Sequence, residues 1–350
     1  MRQQPVRRPT LDTVANAVGV SRATVSNAYN RPDQLSAALR ERIITTASEL
    51  GYGGPDPVAR SLATRRGGAV AVLLGGGLSA AFTDPALSIV LDNLTSTLDR
   101  ERALLLLPGT GAGPDPDSVA RAQADIAVAY SLPDDSPALA QVSARSLPLV
   151  VIDQPALPAT ARVDIADEDG GALAARHLRE LGHERVAVLS FALDTDGRRG
   201  PVSPARWKAA RFRVTRDRIR GYHSELGADL PIWEAPCSAR DHGREGAHWL
   251  LTRDPRPTAL LCLSDELALG AVRAANDLGL RVPADVSIVG FDDTPAAQWA
   301  DPPLTTVRQD LAEKGRIAAE LALRLLSGAR PGPARTLPVT LIKRSSTAAV

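Results

Sequence analysis

Apolar residues recur first at helical spacing and later in short strand-like runs, and that change divides the chain. Leu11, Val14, Ala15 and Val18 fall at i, i+3, i+4 and i+7, one face of an amphipathic helix. Thr10 precedes them as an N-cap whose hydroxyl can accept a free amide of the first turn. Gly19 permits a tight bend, Val20 plugs the angle, and Ser21 caps a second helix over Arg22–Tyr29 with Val25 facing inward. A third helix is predicted from Ser36 to Leu50, burying Leu39, Ile43, Ala47 and Leu50, with Gly51 as its stop. Pro57–Arg65, containing Pro-Val-Ala-Arg-Ser-Leu, reads as a further helix too short to be stable alone.

Beyond the connector Thr64–Gly68, apolar runs alternate with helical stretches. Strands are predicted at Ala69–Leu74, Ala103–Leu107, Ile126–Tyr130, Leu147–Ile152, Arg185–Leu189, Ala259–Leu263 and Val286–Phe291. Helices are predicted at Pro85–Arg100, Ala138–Ala144, Gly170–Leu181, Arg218–Leu226, Gly243–Leu251 and Glu266–Leu278. Such alternation argues parallel sheets covered by helices. There are too many strands for one modest sheet, so two successive α/β subdomains are expected.

Charge follows the same division. Residues 1–68 hold ten Arg against five Asp and Glu, a net +5, whereas the remainder is net −4. The overall +1 therefore conceals a basic head on an acidic body, and a basic head supplies the counterion-release part of DNA affinity. On the second helix Arg22, Ala23, Ser26 and Asn27 project away from the core. Arg can bond bidentately to guanine and Asn to adenine. The alternative is an ordinary solvated face of a small bundle, and the Ala-x-x-x-Gly-Val-Ser order decides against it.

These motifs resemble the LacI/GalR family of transcriptional repressors, over about Thr10 to Ser346. The matches are Asp12–Val14–Ala15, Gly19–Val20–Ser21, Ala23–Thr24–Val25–Ser26, Asn30 and Ala59–Arg60–Ser61–Leu62. The resemblance implies base reading by Arg22, Ala23 and Asn27 and phosphate contacts by Thr24 and Ser26, with Thr10 and Asn30 counted in the same DNA-binding set. The family often carries arginine or histidine where this chain has Asn27, so a relative's operator sequence does not transfer. It also implies that Leu62 wedges into the minor groove of a double-stranded operator, Ala59 being small enough for close backbone approach.

The implied fold is an all-α helix-turn-helix head followed by an α/β periplasmic-binding-protein-like body of two doubly wound parallel-sheet lobes. Expected boundaries are 1–54 for the head, 55–68 for the hinge helix and linker, and 69–350 for the effector-binding and dimerisation part. Lobe 1 would span about 69–165 and 296–335, and lobe 2 about 167–292 and 336–346. Chain crossings are then expected near Ile165–Asp167, Asp292–Ala296 and Arg335–Leu337.

Small molecules bind such sheets beyond the carboxyl ends of their strands. Asp153, Tyr130, Ser264-Asp265 and Asp292 stand at strand ends. In the family, Ser264-Asp265 matches an Asn-Asp pair, Asp292 a carboxylate gripping ligand hydroxyls, and Arg218 an arginine aimed at the effector. Phe82 is a candidate for stacking on a ring. Carboxylates with an arginine suit a sugar or related polyol; Asp265 is equally placed to cap the following helix. The arginine-rich stretch Asp194–Asp217 could roof the pocket, select an acidic effector or form a solvated insertion.

Other classes fit poorly. Gly75-Gly76-Gly77 lacks dinucleotide-fingerprint spacing, Gly109–Gly113 runs into Pro114-Asp115-Pro116, and Walker, zinc-protease and nucleophile-elbow motifs are missing. No enzyme activity, cofactor or metal site is expected. The five histidines lack metal spacing, and Cys237 and Cys262 read as reduced thiols. The chain opens without an apolar signal segment and has no run of ~18 apolar residues, so a cytoplasmic protein with no membrane association is expected. A transport-type solute-binding protein would fit the body alone but not the basic head. The expectation is a homodimeric repressor, with no leucine heptads at the tail to make a tetramer.

Overall fold

The computed structural model describes residues 9–54, 68–98 and 102–350. The chain divides into two compact units, Met1–Gly67 and Gly68–Val350.

In the first unit, helices Leu11–Val18, Arg22–Asn30 and Ala37–Glu49 enclose Val14, Ala15, Val25, Ala28, Ile43 and Ala47. Their starts are fixed by side chains. Thr10 and Thr13 form a reciprocal capping box, Ser21 Oγ accepts the Thr24 amide at 3.0 Å, and Ser36 Oγ accepts that of Leu39 at 3.3 Å. Gly19, at φ +73°, makes the left-handed turn between the first two helices. Arg42 donates to Val18 O at 2.9 Å, satisfying a carbonyl at the first helix's end. Leu50 departs from expectation: it is exposed and lies just past the last helical residue. Tyr52 packs on the core instead, its amide donating to Ala47 O.

The second unit contains two sheets. The first, parallel throughout, is ordered β12-β5-β4-β3-β1-β2, with β1 Ala69–Leu74, β2 Ala103–Leu107, β3 Ile126–Tyr130, β4 Leu149–Ile152, β5 Ala161–Ile165 and β12 Arg335–Leu337. The second is ordered β13-β11-β10-β9-β6-β8-β7. Its members are β6 Val186–Ser190, β7 Gly200–Pro201, β8 Ile232–Glu234, β9 Ala259–Cys262, β10 Ser287–Asp292, β11 Thr305–Gln309 and β13 Val339–Ile342. Only its outermost strands, β7 and β13, pair antiparallel. β1, β3, β4, β6, β9 and β10 are buried apolar runs, as strands covered on both faces require.

The second chain crossing corrects the expected lobe boundaries. β11 pairs with β10 in parallel, so the second sheet continues to Gln309 instead of ending near Asp292. The chain returns to the first sheet at helix Leu311–Leu326, which packs on Pro85–Thr97. Crossings therefore lie at 165–167, 309–311 and 337–339.

Three helix pairs pack with little space between backbones, each through glycine. A Cβ built on Gly221 would stand 2.1 Å from Glu168 O, and one on Gly171 2.3 Å from Arg218 O, where Asp167–Glu180 meets Arg213–Leu226. Gly243 and Gly270 bring Arg240–Leu251 and Asp265–Asp277 together likewise, and Gly315 brings Leu311–Leu326 onto Val90 O. Because backbone cannot yield as a flexible side chain can, Gly221→Ala should destabilise the second unit by about 2–3 kcal/mol. The check is the denaturant midpoint of the full chain.

Candidate functional site

On the first unit, helix Arg22–Asn30 carries the polar candidates. Arg22 and Ala23 are exposed, and Arg22 has one loose ion pair, to Asp12 at 3.8 Å. Asn27 Nδ2 donates to Gln34 Oε1 at 3.4 Å and Asn30 Nδ2 to Ser26 Oγ at 3.2 Å. Thr24 Oγ1 shares a hydrogen bond with Ser21, and the Thr10 hydroxyl serves its helix cap. Gln34, on the short turn Pro32–Gln34, is a polar neighbour of Asn27 that helical periodicity does not pick out. Ala59 and Leu62 lie outside the described residues.

On the second unit, a cavity of about 190 Å³ lies between the carboxyl ends of the two sheets. Asp84 follows β1, Tyr130 and Ser131 lie at the end of β3, and Asp153 follows β4. From the other sheet come Phe191 after β6, Ser264 after β9, Asp292 ending β10 and Gln309 ending β11, with Arg218 from helix Arg213–Leu226. β1/β3 and β6/β9 are the places where strand order reverses, the crevices where open α/β sheets take ligands. Ser131, Asp153 and Asp292 hold positive φ of 51°, 65° and 116°. Left-handed backbone in non-glycine residues is strained, and here it turns polar side chains into the cavity.

Buried charges there are paired. Arg218 Nε donates to Asp167 at 2.8 Å, its Nη1 donates to Leu263 O at 2.6 Å, and its guanidinium lies 3.6 Å from the Phe291 ring centroid. Asp292 accepts from Gln309 Nε2 at 2.6 Å and stands 3.9 Å from Arg218. Lys314, wholly buried, donates to Gln309 Oε1 and to Asp153 at 2.7 Å. A polar line thus runs from Asp167 through Arg218, Asp292, Gln309 and Lys314 to Asp153. Burial pushes the Asp292 carboxyl well above the usual range, with Arg218 pulling it back. Burial also raises the Tyr130 hydroxyl, and Asp84, Asp153 and Asp292 push it the same way.

Residues 10–54 match the model for bacterial regulatory proteins, lacI family, and residues 175–347 match a periplasmic binding protein-like domain. The regulator IpsA of Corynebacterium glutamicum is 41% identical over 330 residues, 91% of each chain. The chain belongs to the lacI family of bacterial regulatory proteins. Among solved LacI-family structures, the lac repressor dimer bound to operator and the anti-inducer ONPF is 29% identical. It aligns at TM-score 0.78 over 98% of this chain and all of that one. The CelR–cellobiose complex is 28% identical at TM-score 0.68, over 97% and 100%. LacI-family relatives are named as transcriptional regulators, not enzymes. Among the described residues no helix is long and apolar enough to cross a membrane.

Five of the seven cleft candidates in this LacI-family regulator, Tyr130, Asp153, Arg218, Ser264 and Asp292, line one cavity. Phe82 does not. Helix Ala80–Thr83 buries Ala81 and turns Phe82 outward, 75% exposed. Asp84, two residues on, reaches the cavity instead. Asp265 is neither wall nor helix cap: Ser264 Oγ accepts the Leu267 amide, while Asp265 accepts from Thr294 N at 2.7 Å, Thr294 Oγ1 at 3.0 Å and Thr306 Oγ1 at 2.6 Å. Burial raises this carboxyl to about 7 against the pull of those three donors. Gln309 and Lys314 escape a reading based on apolar runs because both are polar residues in buried positions.

Asp265 ties the helix after β9 to the loop after β10 and to β11. Asp265→Ala leaves three donors without an acceptor, at about 1–3 kcal/mol each, so the full chain should lose at least about 3 kcal/mol of stability in chemical denaturation. Asp265→Asn, retaining acceptor oxygen, should lose less.

Proposed function

We propose that this LacI-family regulator is a repressor that binds a palindromic operator as a homodimer and changes its operator affinity when a sugar-like molecule enters the interlobe cavity. The DNA reading rests on a capped helix presenting Arg22 and Ala23 to solvent beside Asn27. In this reading Arg22, Ala23 and Asn27 face base edges and Thr24 and Ser26 face phosphates. Dimerisation pairs two heads, hence an inverted repeat. A solved relative is a dimer on its operator, which supports this arrangement.

The effector reading rests on one observation: carboxylates at the ends of strands from both sheets converge on one cavity with an arginine. Carboxylate oxygens hold vicinal hydroxyls through charge-assisted hydrogen bonds. A relative solved in complex with cellobiose supports a carbohydrate as the class of effector. A molecule that touches both lobes binds their alternative arrangements unequally, and that difference shifts the operator-bound population.

Binding-site selection from random duplexes tests the DNA half. Wild type should enrich an inverted repeat, and Arg22→Ala should lose discrimination at one symmetric position per half-site, worth about 1–3 kcal/mol. Leu62→Ala should weaken operator binding far more than nonspecific binding in anisotropy titrations; equal losses remove the minor-groove wedge. For the effector half, Asp292→Asn should abolish the change in operator affinity that effector produces, measured in anisotropy titrations with and without effector.

A further inference from the structure

Among the described residues the cavity wall is rich in carboxyl groups, and its one cation is already compensated. Asp84, Asp153 and Asp292 line it against a single arginine, Arg218, which is paired with Asp167 and lies close to Asp292. Each of the three carboxylates keeps an oxygen for a ligand. Asp84 uses Oδ1 for the amides of Ala86 and Leu87, at 2.9 and 3.3 Å, as N-cap of Pro85–Thr97. Asp153 uses Oδ1 for Lys314, and Asp292 uses Oδ1 for Gln309. Among the described residues, none donates a hydrogen bond to the second oxygen of any of the three.

The arginine-rich segment supplies no remedy for an anion. Arg206 is held by Glu234 at 2.8 Å and by Asp196. Arg211 is held by Asp194 and Asp135, and Arg213 by Asp164 and by Asp153 O. None of these arginines lines the cavity; Phe212 and Val214 do, giving a partly apolar wall together with Phe191. Lys314 stands behind Asp153 and Gln309, outside the wall. A ligand here meets hydroxyl acceptors and flat apolar surface, with no uncompensated positive charge. At about 190 Å³ the space is small, below the ~300 Å³ at which pockets for drug-sized ligands begin, which favours one sugar ring over two.

Granted that this cavity is the effector site, we propose that it selects an uncharged single-ring polyol and rejects the phosphorylated form of the same sugar, with Asp84 as a specificity-determining acceptor. Hydroxyls donate to the free oxygens of Asp84, Asp153 and Asp292, while the ring's C–H face lies against Phe191 and Phe212. A phosphate would bring negative charge onto a wall of carboxyl groups whose arginine is already paired, and juxtaposing an anion with such groups is a strong means of rejection.

The test is calorimetry on the full chain with ribose, glucose, galactose, ribose 5-phosphate, glucose 6-phosphate, glucosamine and cellobiose. A neutral monosaccharide should bind tightest, its phosphate ester on the order of 100-fold weaker or undetectably. Asp84→Asn should weaken the neutral sugar about tenfold and narrow its margin over the ester. Tightest binding by a phosphate, by glucosamine or by cellobiose overturns the proposal, as does failure of every neutral monosaccharide to bind. Ala192→Phe, or Ser238→Leu should the first not fold, fills the cavity and separates the two levels. Binding that survives in a filled, wild-type-melting variant removes the cavity as the effector site. Cavity-dependent binding of an ester removes only the charge selection.

Discussion

A buried guanidinium governs the second unit. Arg218 lies in the cavity wall, almost wholly buried, where an unpaired charge would be strongly destabilising, so the surrounding chain is arranged to compensate it. Asp167 starts one helix, Leu263 O directly follows β9, Phe291 lies in β10, and all three meet the same side chain. Pairing fixes the spacing of helices Asp167–Glu180 and Arg213–Leu226, and Gly171 and Gly221 make that spacing sterically possible. The compensation extends through Asp292 and Gln309 to Lys314 and Asp153, and so from one sheet to the other. A ligand in the cavity therefore touches a polar line that both lobes share.

Glycines bring helix backbones into contact within each lobe, and such close packing transmits strain instead of absorbing it. The chain passes between the lobes at three crossings, 165–167, 309–311 and 337–339. The second of these lies between Gln309 and Lys314, two members of the polar line. In the proposed reading, ligand contacts and lobe arrangement act on the same few residues, which is the physical requirement for a ligand-dependent equilibrium.

Much of this was legible in the sequence, and the parts that were not share a cause. The head was readable because Val14, Ala15, Val25, Ile43 and Ala47 repeat at helical spacing between capping residues. Strands such as Ala69–Leu74 were readable as unbroken apolar runs. β11 was not, because Thr305, Thr306 and Gln309 are buried polar residues, serving hydrogen bonds instead of apolar contact. Helix Leu311–Leu326 does repeat apolar residues at helical spacing (Leu311, Ile317, Ala318, Leu321, Ala322), though Lys314 and Gly315 break that face near its start. Missing both moved the expected second crossing. In the cavity, Phe82 drew attention as an aromatic residue after β1, whereas the residue two positions on, Asp84, carries the polar contact. Asp265 was placed correctly at a strand end, but its three hydroxyl and amide partners come from residues distant in sequence and could not be read from spacing.

The central claim is that cavity occupancy and operator binding are one linked equilibrium. Linkage is reciprocal: the factor by which an effector alters operator affinity must equal the factor by which operator alters effector affinity. The direct measurement is the effector's dissociation constant on the full-length dimer, free and saturated with operator duplex. The account predicts a difference of about 5- to 150-fold, equal to the change in operator affinity seen with saturating effector. The same dissociation constant in both states would contradict it.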